Sequence, residues 1–407
     1  MPLSLADSGH AAPDRSPSSG IPNFPIRPLL TACAFATLWH ILLLAFGSRD
    51  FEPQKTVDKP RKPQEVAARI VQEETSTSIQ AWYHWDALWF VHLSRSGYVL
   101  ETDHDGRIEQ SNIAFTPGLA VVAAASDRFL PDPWRFLLVF NAFAAFLASL
   151  ALGAISWRLN RSKAAMVWAI VAFNVWPWRF FLVAPYQEAA GSALAFWAIY
   201  AAISGYVLPG FVFSLVSSAF RLNAIGLFGG FLAGSLVEFL RNRERSMQLR
   251  NMIVGSGALI GWGLLLAYFQ YRFGDAGLGV KIQSTWGRQP PHLTGIVESL
   301  AGPLMHPMTG TEWLDWAAAW TVLAAIPVVY RNYGTAWATS LAGLTFQAMS
   351  TGRVLSFGRF ALLACPFFIV AGTLATKRPT LAKAVCSLSL VAQIGLAWRY
   401  GHDLFAG

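Results

Sequence analysis

The sequence predicts an all-α polytopic membrane protein in which many helices cross a bilayer. Hydrophobic residues make up 54% of the 407 residues and charged residues only 13%, about half the charged fraction of an average soluble domain. Long stretches also lack Asp, Glu, Lys and Arg altogether, namely 28–47, 136–157, 189–220, 251–271, 332–352 and 360–376. Because about 20 apolar residues in a helix span the hydrocarbon core, this pattern argues strongly against a soluble fold.

The chain divides into a short tail and one large domain. Residues 1–26 are rich in Pro, Ser and Gly, which predicts a disordered cytoplasmic tail, and residues 27–400 predict a single transmembrane domain. About eleven transmembrane helices are predicted, at 28–47, 136–157, 164–184, 188–205, 207–219, 223–240, 251–271, 313–330, 334–351, 357–376 and 381–398. The segments 207–219 and 223–240 are short and predict either two spans or one re-entrant hairpin.

Basic residues in the short loops predict the orientation of the chain. They fall on one side of the membrane if residues 115–130 form a juxtamembrane helix instead of crossing: Arg158, Arg161, Lys163, Arg241, Arg243, Arg245, Arg250, Arg331, Lys377 and Arg378. The positive-inside rule makes that side cytoplasmic, so residues 48–133 become a long first outer loop with juxtamembrane helices. The net charge of +8 therefore indicates topology and anionic membrane lipids as partners, and no nucleic acid is predicted.

Residues 81–98 are the most informative part of that loop. Bulky side chains recur there at helical spacing and predict a helix at the outer interface, namely Trp82, Trp85, Trp89 and Leu93. Asp86 lies among these aromatic residues, where a carboxylate loses water and needs compensation. It is either a helix cap or an ion-pair partner of Arg95, or else a general base that takes a proton from an acceptor hydroxyl.

Several short motifs follow one another in a characteristic order. They are Trp85-Asp86 with Gly97-Tyr98, Asn112-Ile-Ala-Phe-Thr-Pro117, Pro185-Tyr-Gln-Glu188, Ser218-Ala-Phe-Arg-Leu-Asn-Ala-Ile-Gly226, Arg272-Phe-Gly-Asp275, Gln283 with Trp286-Gly-Arg288, and Ser356-Phe-Gly-Arg359 with Pro366. From about residue 28 to residue 398, this series resembles the PIG-V-type mannosyltransferases, the family of GPI mannosyltransferase 2 enzymes and their bacterial relatives. The chain departs from the family pattern at Gln187, Ala224, Ala276 and Phe360.

The resemblance implies a fold and a chemistry. It implies a GT-C-type glycosyltransferase fold, a polyprenyl- or dolichyl-phosphate sugar as donor, and Asp86 as the general base of an inverting transfer. The expected reaction moves a hexose, mannose by the resemblance, to a hydroxyl of a glycan or glycolipid acceptor. The topology independently puts Asp86 outside, so the site is expected on the periplasmic face of a bacterial inner membrane, or on the lumenal face of an endoplasmic reticulum membrane.

Further side chains are candidates for the same site. Glu188 is either a helix cap or a second acidic residue of the catalytic site, and Trp85 and Tyr186 would shape the pocket. Arg221 is either a side chain that snorkels to the surface or a partner of the donor phosphate or of Glu188. Three further arginines would bind the donor phosphate, although contact with ordinary headgroups explains each one nearly as well: Arg288, Arg353 and Arg359. The sequence identifies no cofactor and leaves a divalent cation open, because two scattered carboxylates do not identify a metal site.

Two other functions compete with a transferase of this kind. A transporter or flippase of lipid-linked saccharides would explain the aromatic residues and the outer arginines, but it predicts a path of charged residues through the membrane, and these are few. A polysaccharide polymerase or ligase usually has its large catalytic loop late in the chain, whereas the largest loop here is early.

Overall fold

The computed structural model describes residues 24–52, 62–305 and 307–404, so the predicted tail 1–26 lies almost wholly outside the described residues. Its α-helices are α1 (Ile26–Gly47), α2 (Pro63–Glu74), α3 (Thr77–Gln80), α4 (Asp86–Ser96), α5 (Gly118–Asp127), α6 (Pro133–Asn160), α7 (Lys163–Asn174), α8 (Glu188–Ser204), α9 (Val207–Phe220), α10 (Ala224–Leu240), α11 (Arg245–Phe273), α12 (Leu278–Lys281), α13 (Leu293–Leu300), α14 (Gly302–Met305), α15 (Gly310–Tyr333), α16 (Thr335–Met349), α17 (Phe357–Phe360), α18 (Cys365–Lys377) and α19 (Pro379–Gly401).

Short 3-10 helices complete the described secondary structure, at Asn112–Ala114, Pro177–Leu182, Ile282–Trp286 and Ala361–Leu363. Throughout the described ranges there is no β-strand, and extended pairing is limited to an isolated antiparallel bridge between Thr102 and Ile108. The predicted all-helical class is confirmed. Helices α2 to α5 also occupy the predicted first loop, and α5 is the helix expected within 115–130.

Five of the described helices are long and apolar enough to cross a membrane: α1, α6, α11, α15 and α19. A sixth is added if α17 and α18 with the turn between them count as one broken span, bent by 84°. Five shorter apolar helices of 10–17 residues, α5 and α7 to α10, accompany them. A helical membrane protein is therefore confirmed in outline, while the eleven crossings stay a prediction.

Two of the predicted spans are interrupted where proline lies inside them. In 164–184, α7 ends at Asn174, and Trp176 is extended with ψ 131° because the following Pro177 disfavours a helical conformation there. In 357–376, Pro366 has no N–H to donate to the Leu362 carbonyl. The Ser192 hydroxyl donates to that carbonyl instead, at 3.2 Å.

The ambiguous segment 207–240 is an antiparallel helical hairpin. Gly257 of α11 packs on Ser214 and Gly261 packs on Ser218, so α9 runs parallel to α11. α10 ends at Leu240, just before α11 begins, and therefore runs the opposite way. Small residues let these backbones approach closely. Because α11 continues to Phe273, it extends roughly 18 Å beyond the Gly261 contact. The turn between α9 and α10 therefore stops short of the end of α11.

The helices of the bundle have a basic end and an opposite end. At the basic end, the Tyr333 hydroxyl donates to Asn160 Oδ1 at 2.9 Å, and the Arg158 guanidinium donates to the Ile203 carbonyl at 3.1 Å. These contacts join the basic loops that follow α6 and α15 to the end of α8. At the opposite end lie the starts of α8, α10 and α18 and the end of α16, which surround the cavity described next.

Candidate active site

The backbone just before Asp86 departs from the predicted interfacial helix. Helix α4 begins only at Asp86, because Trp85 has φ +53° and ψ −118°, which no α-helix accommodates. Trp82 and Trp89 are buried in protein, 0% and 2% exposed, and do not face lipid headgroups as predicted. The Trp82 indole N–H donates to the Leu44 carbonyl at 3.2 Å, which explains why it prefers the interior.

A cavity of about 390 Å³ lies at the non-basic end of the bundle. Six of the eight site residues predicted from the sequence line it, namely Trp85, Asp86, Tyr186, Arg221, Arg288 and Arg359. They come from the first loop, the turn before α8, the turn between α9 and α10, the segment after α12, and α17. The fold therefore gathers into one wall side chains that are far apart in the chain, such as Asp86 and Arg359, which are 273 positions apart.

Carboxylates and guanidinium groups alternate in a row of ion pairs in this wall and directly behind it. Arg359 Nη1 lies 2.5 Å from Asp86 Oδ2, and Arg359 Nε donates to Glu188 Oε1. Glu188 Oε1 also lies 2.9 Å from Arg221 Nη1. The chain of contacts is therefore Asp86, Arg359, Glu188 and Arg221, each charge meeting an opposite one.

Arg95 is not the partner of Asp86 that the sequence left open. Its guanidinium contacts Glu74 at 2.9 Å and Asp127 at 2.7 Å, and it joins α4 to α2 and α5. The helix-cap alternative for Asp86 holds only by position, since the residue lies in the first turn of α4, where a carboxylate is favoured, but no side chain makes a capping hydrogen bond there. This position is compatible with exposure to the cavity, because the Asp86 side chain remains 25% exposed.

Glu188 lies behind the cavity wall. It begins α8, its side chain is 0% exposed, and it is absent from the residues that line the cavity. Both of its arginine partners do line the cavity. A buried carboxylate with two guanidinium partners fixes their positions, so the structure favours a positioning role for Glu188 over contact with substrate.

Arg288 differs from the other two cavity arginines because its described hydrogen-bond partners are neutral. Its guanidinium lies 3.4 Å from Gln283 Oε1 and 3.5 Å from the Leu355 carbonyl. The ring of Phe360 lies between two guanidinium groups, 5.2 Å from Arg288 and 5.2 Å from Arg221. Burial lowers the pKa of Arg288 to about 10, and attraction to the Asp86 carboxylate opposes that shift, so Arg288 stays charged at neutral pH.

Arg353, the fourth predicted arginine, does not line the cavity. Its guanidinium contacts Glu312 Oε1 at 2.7 Å. The other Glu312 oxygen accepts from the Thr309 N–H at 2.9 Å in a capping box at the start of α15. Arg353 therefore stabilises the beginning of a helix.

Asp315, a fully buried carboxylate in α15, was not among the residues predicted from the sequence. It accepts 2.8 Å hydrogen bonds from the backbone N–H groups of Ser356 and Gly358. Ser356 has a left-handed φ of +64°, so this turn needs outside support. Asp315 thus fixes the turn that presents Arg359. An acidic residue inside an apolar span was the available signal, because such residues have partners or functions.

Two histidines of the first loop, His84 and His92, have structural contacts. Burial lowers the pKa of His84 to about 4, and its Nδ1 lies 3.4 Å from the Asp403 carboxylate. With that pKa, His84 is neutral at pH 7 and the contact is not an ion pair. His92 Nδ1 lies 3.1 Å from the Asn112 side-chain amide.

Among the residues that the structure describes, no group of three or more His, Cys, Asp and Glu is arranged to hold a metal ion. Comparison of the chain with models of known protein families and with curated proteins finds no match.

Proposed function

We propose that this protein is a membrane glycosyltransferase that moves a hexose from a lipid-phosphate donor to a hydroxyl acceptor, with Asp86 as general base and inversion at the anomeric carbon. One observation carries the proposal: a carboxylate and a guanidinium without a carboxylate partner, Asp86 and Arg288, line the same cavity. The choice of mannose rests on the motif resemblance alone.

The charges of the wall suit this reaction. Its lining carries three guanidinium groups and one carboxylate, with Glu188 behind two of the arginines. During transfer, the bond from the anomeric carbon to the phosphate oxygen breaks, and the leaving lipid phosphate gains one negative charge. The acceptor oxygen forms the new bond to the anomeric carbon, and its proton moves to Asp86. Because protonation neutralises the Asp86 carboxylate, the net charge of the wall becomes more positive by one in the same step. Such matching is how fixed charges stabilise a transition state.

The contacts of Asp86 suit a base that is held in place. Arg359 contacts Oδ2 of the carboxylate, and the backbone of Asp86 is fixed at the start of α4. Among the described residues, no hydrogen bond involves Oδ1, so that oxygen is available to an acceptor hydroxyl. A general base must come within hydrogen-bond reach of the proton it removes.

The position of the cavity supports a lipid-linked donor. The cavity lies at the end of the bundle opposite to the basic loops, which the positive-inside rule assigns to the cytoplasm. Nucleotide sugars are cytoplasmic, whereas a polyprenyl phosphate carries its sugar to the other face. Partners would be this donor, a glycan or glycolipid acceptor, and the surrounding lipids.

The test is transfer by the purified protein in lipid vesicles. Labelled polyprenyl-phosphate mannose is supplied with candidate glycan and glycolipid acceptors, and product is separated from donor. Asp86→Asn should lower transfer about 10²–10⁴-fold, the usual contribution of a general base. The matched control is Asp105→Asn, an exposed carboxylate in the same loop, which should transfer at the wild-type rate.

Two results would contradict the proposal. Wild-type transfer by a folded Asp86→Asn protein removes Asp86 as the base. Movement of the lipid-linked sugar between leaflets without any transfer favours a flippase. Equal thermal unfolding temperatures of the variants and the wild type ensure that lost activity reflects chemistry.

A further inference from the structure

Two tyrosine hydroxyls hold the backbone immediately before Asp86. The single hydrogen of the Tyr400 hydroxyl is shared between the Trp82 carbonyl oxygen at 3.1 Å and the His84 carbonyl oxygen at 3.4 Å. The Tyr186 hydroxyl donates to the His84 carbonyl and accepts from the Asp86 N–H, both at 3.2 Å. The His84 carbonyl also accepts from the Ala87 N–H at 3.1 Å, so the tyrosine hydroxyls serve chiefly the Trp82 carbonyl and the Asp86 N–H and add to the hold on His84.

This turn needs such support because Trp85 is strained. Its positive φ of +53° is rarely adopted by a bulky residue that is not glycine. Conformations of this kind persist only where the surroundings hold them, and they are common at active sites. The direction of the Asp86 side chain depends on the turn, since Asp86 is the next residue.

Packing fixes the position of Tyr400 relative to the turn before Asp86. It lies in the last turn of α19, is 1% exposed, and its ring packs 5.8 Å from Trp82 and 5.9 Å from Tyr186. The neighbouring Gly401 approaches α1 so closely that an added Cβ would lie 1.8 Å from the Gly47 carbonyl oxygen. This contact between the ends of α1 and α19 sets where the Tyr400 hydroxyl lies.

We propose that Tyr400 is a positioning residue for Asp86, and that the C-terminal helix thereby completes the active site without contributing a charge. Tyr400 also lines the cavity, and its hydroxyl contacts the backbone of the Asp86 turn and the Tyr186 hydroxyl, which holds the same turn. The inference rests on the proposed transferase function. Misplacing a base by a fraction of an ångström slows the chemical step more than it weakens binding of the donor.

Tyr400→Phe removes the hydroxyl and keeps the ring. We expect kcat to fall about tenfold, because one buried hydrogen bond to the turn is lost, while KM for the donor changes less than about twofold. The peptide covering residues 82–88 should exchange its amide hydrogens faster. Tyr400→4-aminophenylalanine restores a donor on the same ring and should recover most of kcat.

The matched control is Tyr333→Phe, whose hydroxyl donates to Asn160 Oδ1 at the basic end of the bundle and should leave both kcat and exchange of 82–88 unchanged. Wild-type kcat in Tyr400→Phe, or unchanged exchange of 82–88, would overturn the inference. If the wild-type protein transfers no sugar to any acceptor, the proposed function fails, and hydrogen exchange then decides alone whether Tyr400 holds the turn.

Discussion

Arg288 and Arg359 line the same cavity but meet different electrostatic environments. Arg359 has two carboxylate partners, Asp86 and Glu188, so most of its charge is already compensated. Arg288 has only amide, carbonyl and ring neighbours among its described contacts. An anion that enters the cavity therefore gains more from Arg288, because none of the described carboxylates hydrogen-bonds that guanidinium.

Replacing Arg288 should weaken use of the donor. In Arg288→Gln, we expect kcat/KM for the lipid-phosphate sugar to fall about 10–100-fold, the value of one or two charge-assisted hydrogen bonds to phosphate. Arg288→Lys should recover part of the loss, because it keeps the charge but not the planar fork. Initial rates over a range of donor concentrations measure the effect.

Arg353→Gln provides the comparison for that experiment. It removes a guanidinium that contacts Glu312 at the start of α15, outside the cavity lining. We expect its donor kcat/KM to stay within about twofold of wild type, since an interaction outside the site contributes little to the transition state. Equal losses in the two variants would mean that the arginines act through overall charge and not through a phosphate site.

At the scale of elements, the cavity forms where short helices end beside longer ones. The hairpin of α9 and α10 turns at 221–223, roughly 12 Å before the end of α11. The break after α17 similarly ends one element inside the bundle. Backbone at such ends needs partners, and Asp315 supplies them for the turn that carries Arg359.

Asp315→Asn should therefore damage both stability and activity. An amide keeps one acceptor oxygen but points an N–H₂ group at a backbone N–H, so we expect a loss of about 1–3 kcal/mol in the free energy of unfolding. We also expect kcat to fall about tenfold, because the turn that presents Arg359 is loosened. Thermal unfolding in detergent and the transfer assay measure the two effects.

Asp103→Asn is the control for this change. Asp103 likewise accepts two backbone N–H groups, from Asp105 and Arg107, but on an exposed loop. Surface changes of this kind usually alter stability by less than about 0.5 kcal/mol. A stable and fully active Asp315→Asn protein would show that the Ser356 turn holds itself.

At the scale of the whole molecule, the two ends of the bundle differ in charge and in content. The basic loops meet at one end through Tyr333 and Arg158, and the cavity with its paired charges lies at the other. Both α1 and α19 finish at the cavity end, where Gly47 and Gly401 touch. The proposed orientation requires the basic end to face the cytoplasm and the cavity end to face the opposite side of the membrane.

Cysteine labelling tests that orientation. A background variant replaces the half-exposed Cys386 with Ser, while Cys33 and Cys365 are buried. In intact bacterial cells, a membrane-impermeant maleimide should label Ser284→Cys, near the cavity, but should label Ser246→Cys only after permeabilisation, because the positive-inside rule places residues 241–250 in the cytoplasm. The reverse pattern would place the cavity in the cytoplasm and rule out the proposed donor.

Six residues singled out from the sequence line one cavity, and several of them were recognisable because a charged side chain in an apolar stretch is energetically costly. Asp86, Arg221 and Arg359 interrupt apolar or aromatic stretches, which is unfavourable without a partner or a function. Arg353 had the same features in the sequence, but its guanidinium contacts Glu312 at the start of α15. Spacing along the chain cannot tell one predicted outer arginine from another. Tyr400 gave no signal, because an aromatic residue at the end of an apolar helix is ordinary at a membrane interface.

The sequence alone determined that this is a helical membrane protein, because runs of uncharged residues the length of a bilayer have few other stable states. It also placed most helices, since hydropathy is a local property. Only the tertiary structure decided that Asp86 pairs with Arg359 instead of Arg95, that Glu188 lies behind the cavity, and that the last helix holds the first loop. Those contacts join residues far apart in the chain, and which of several equally charged side chains meet depends on how the helices pack.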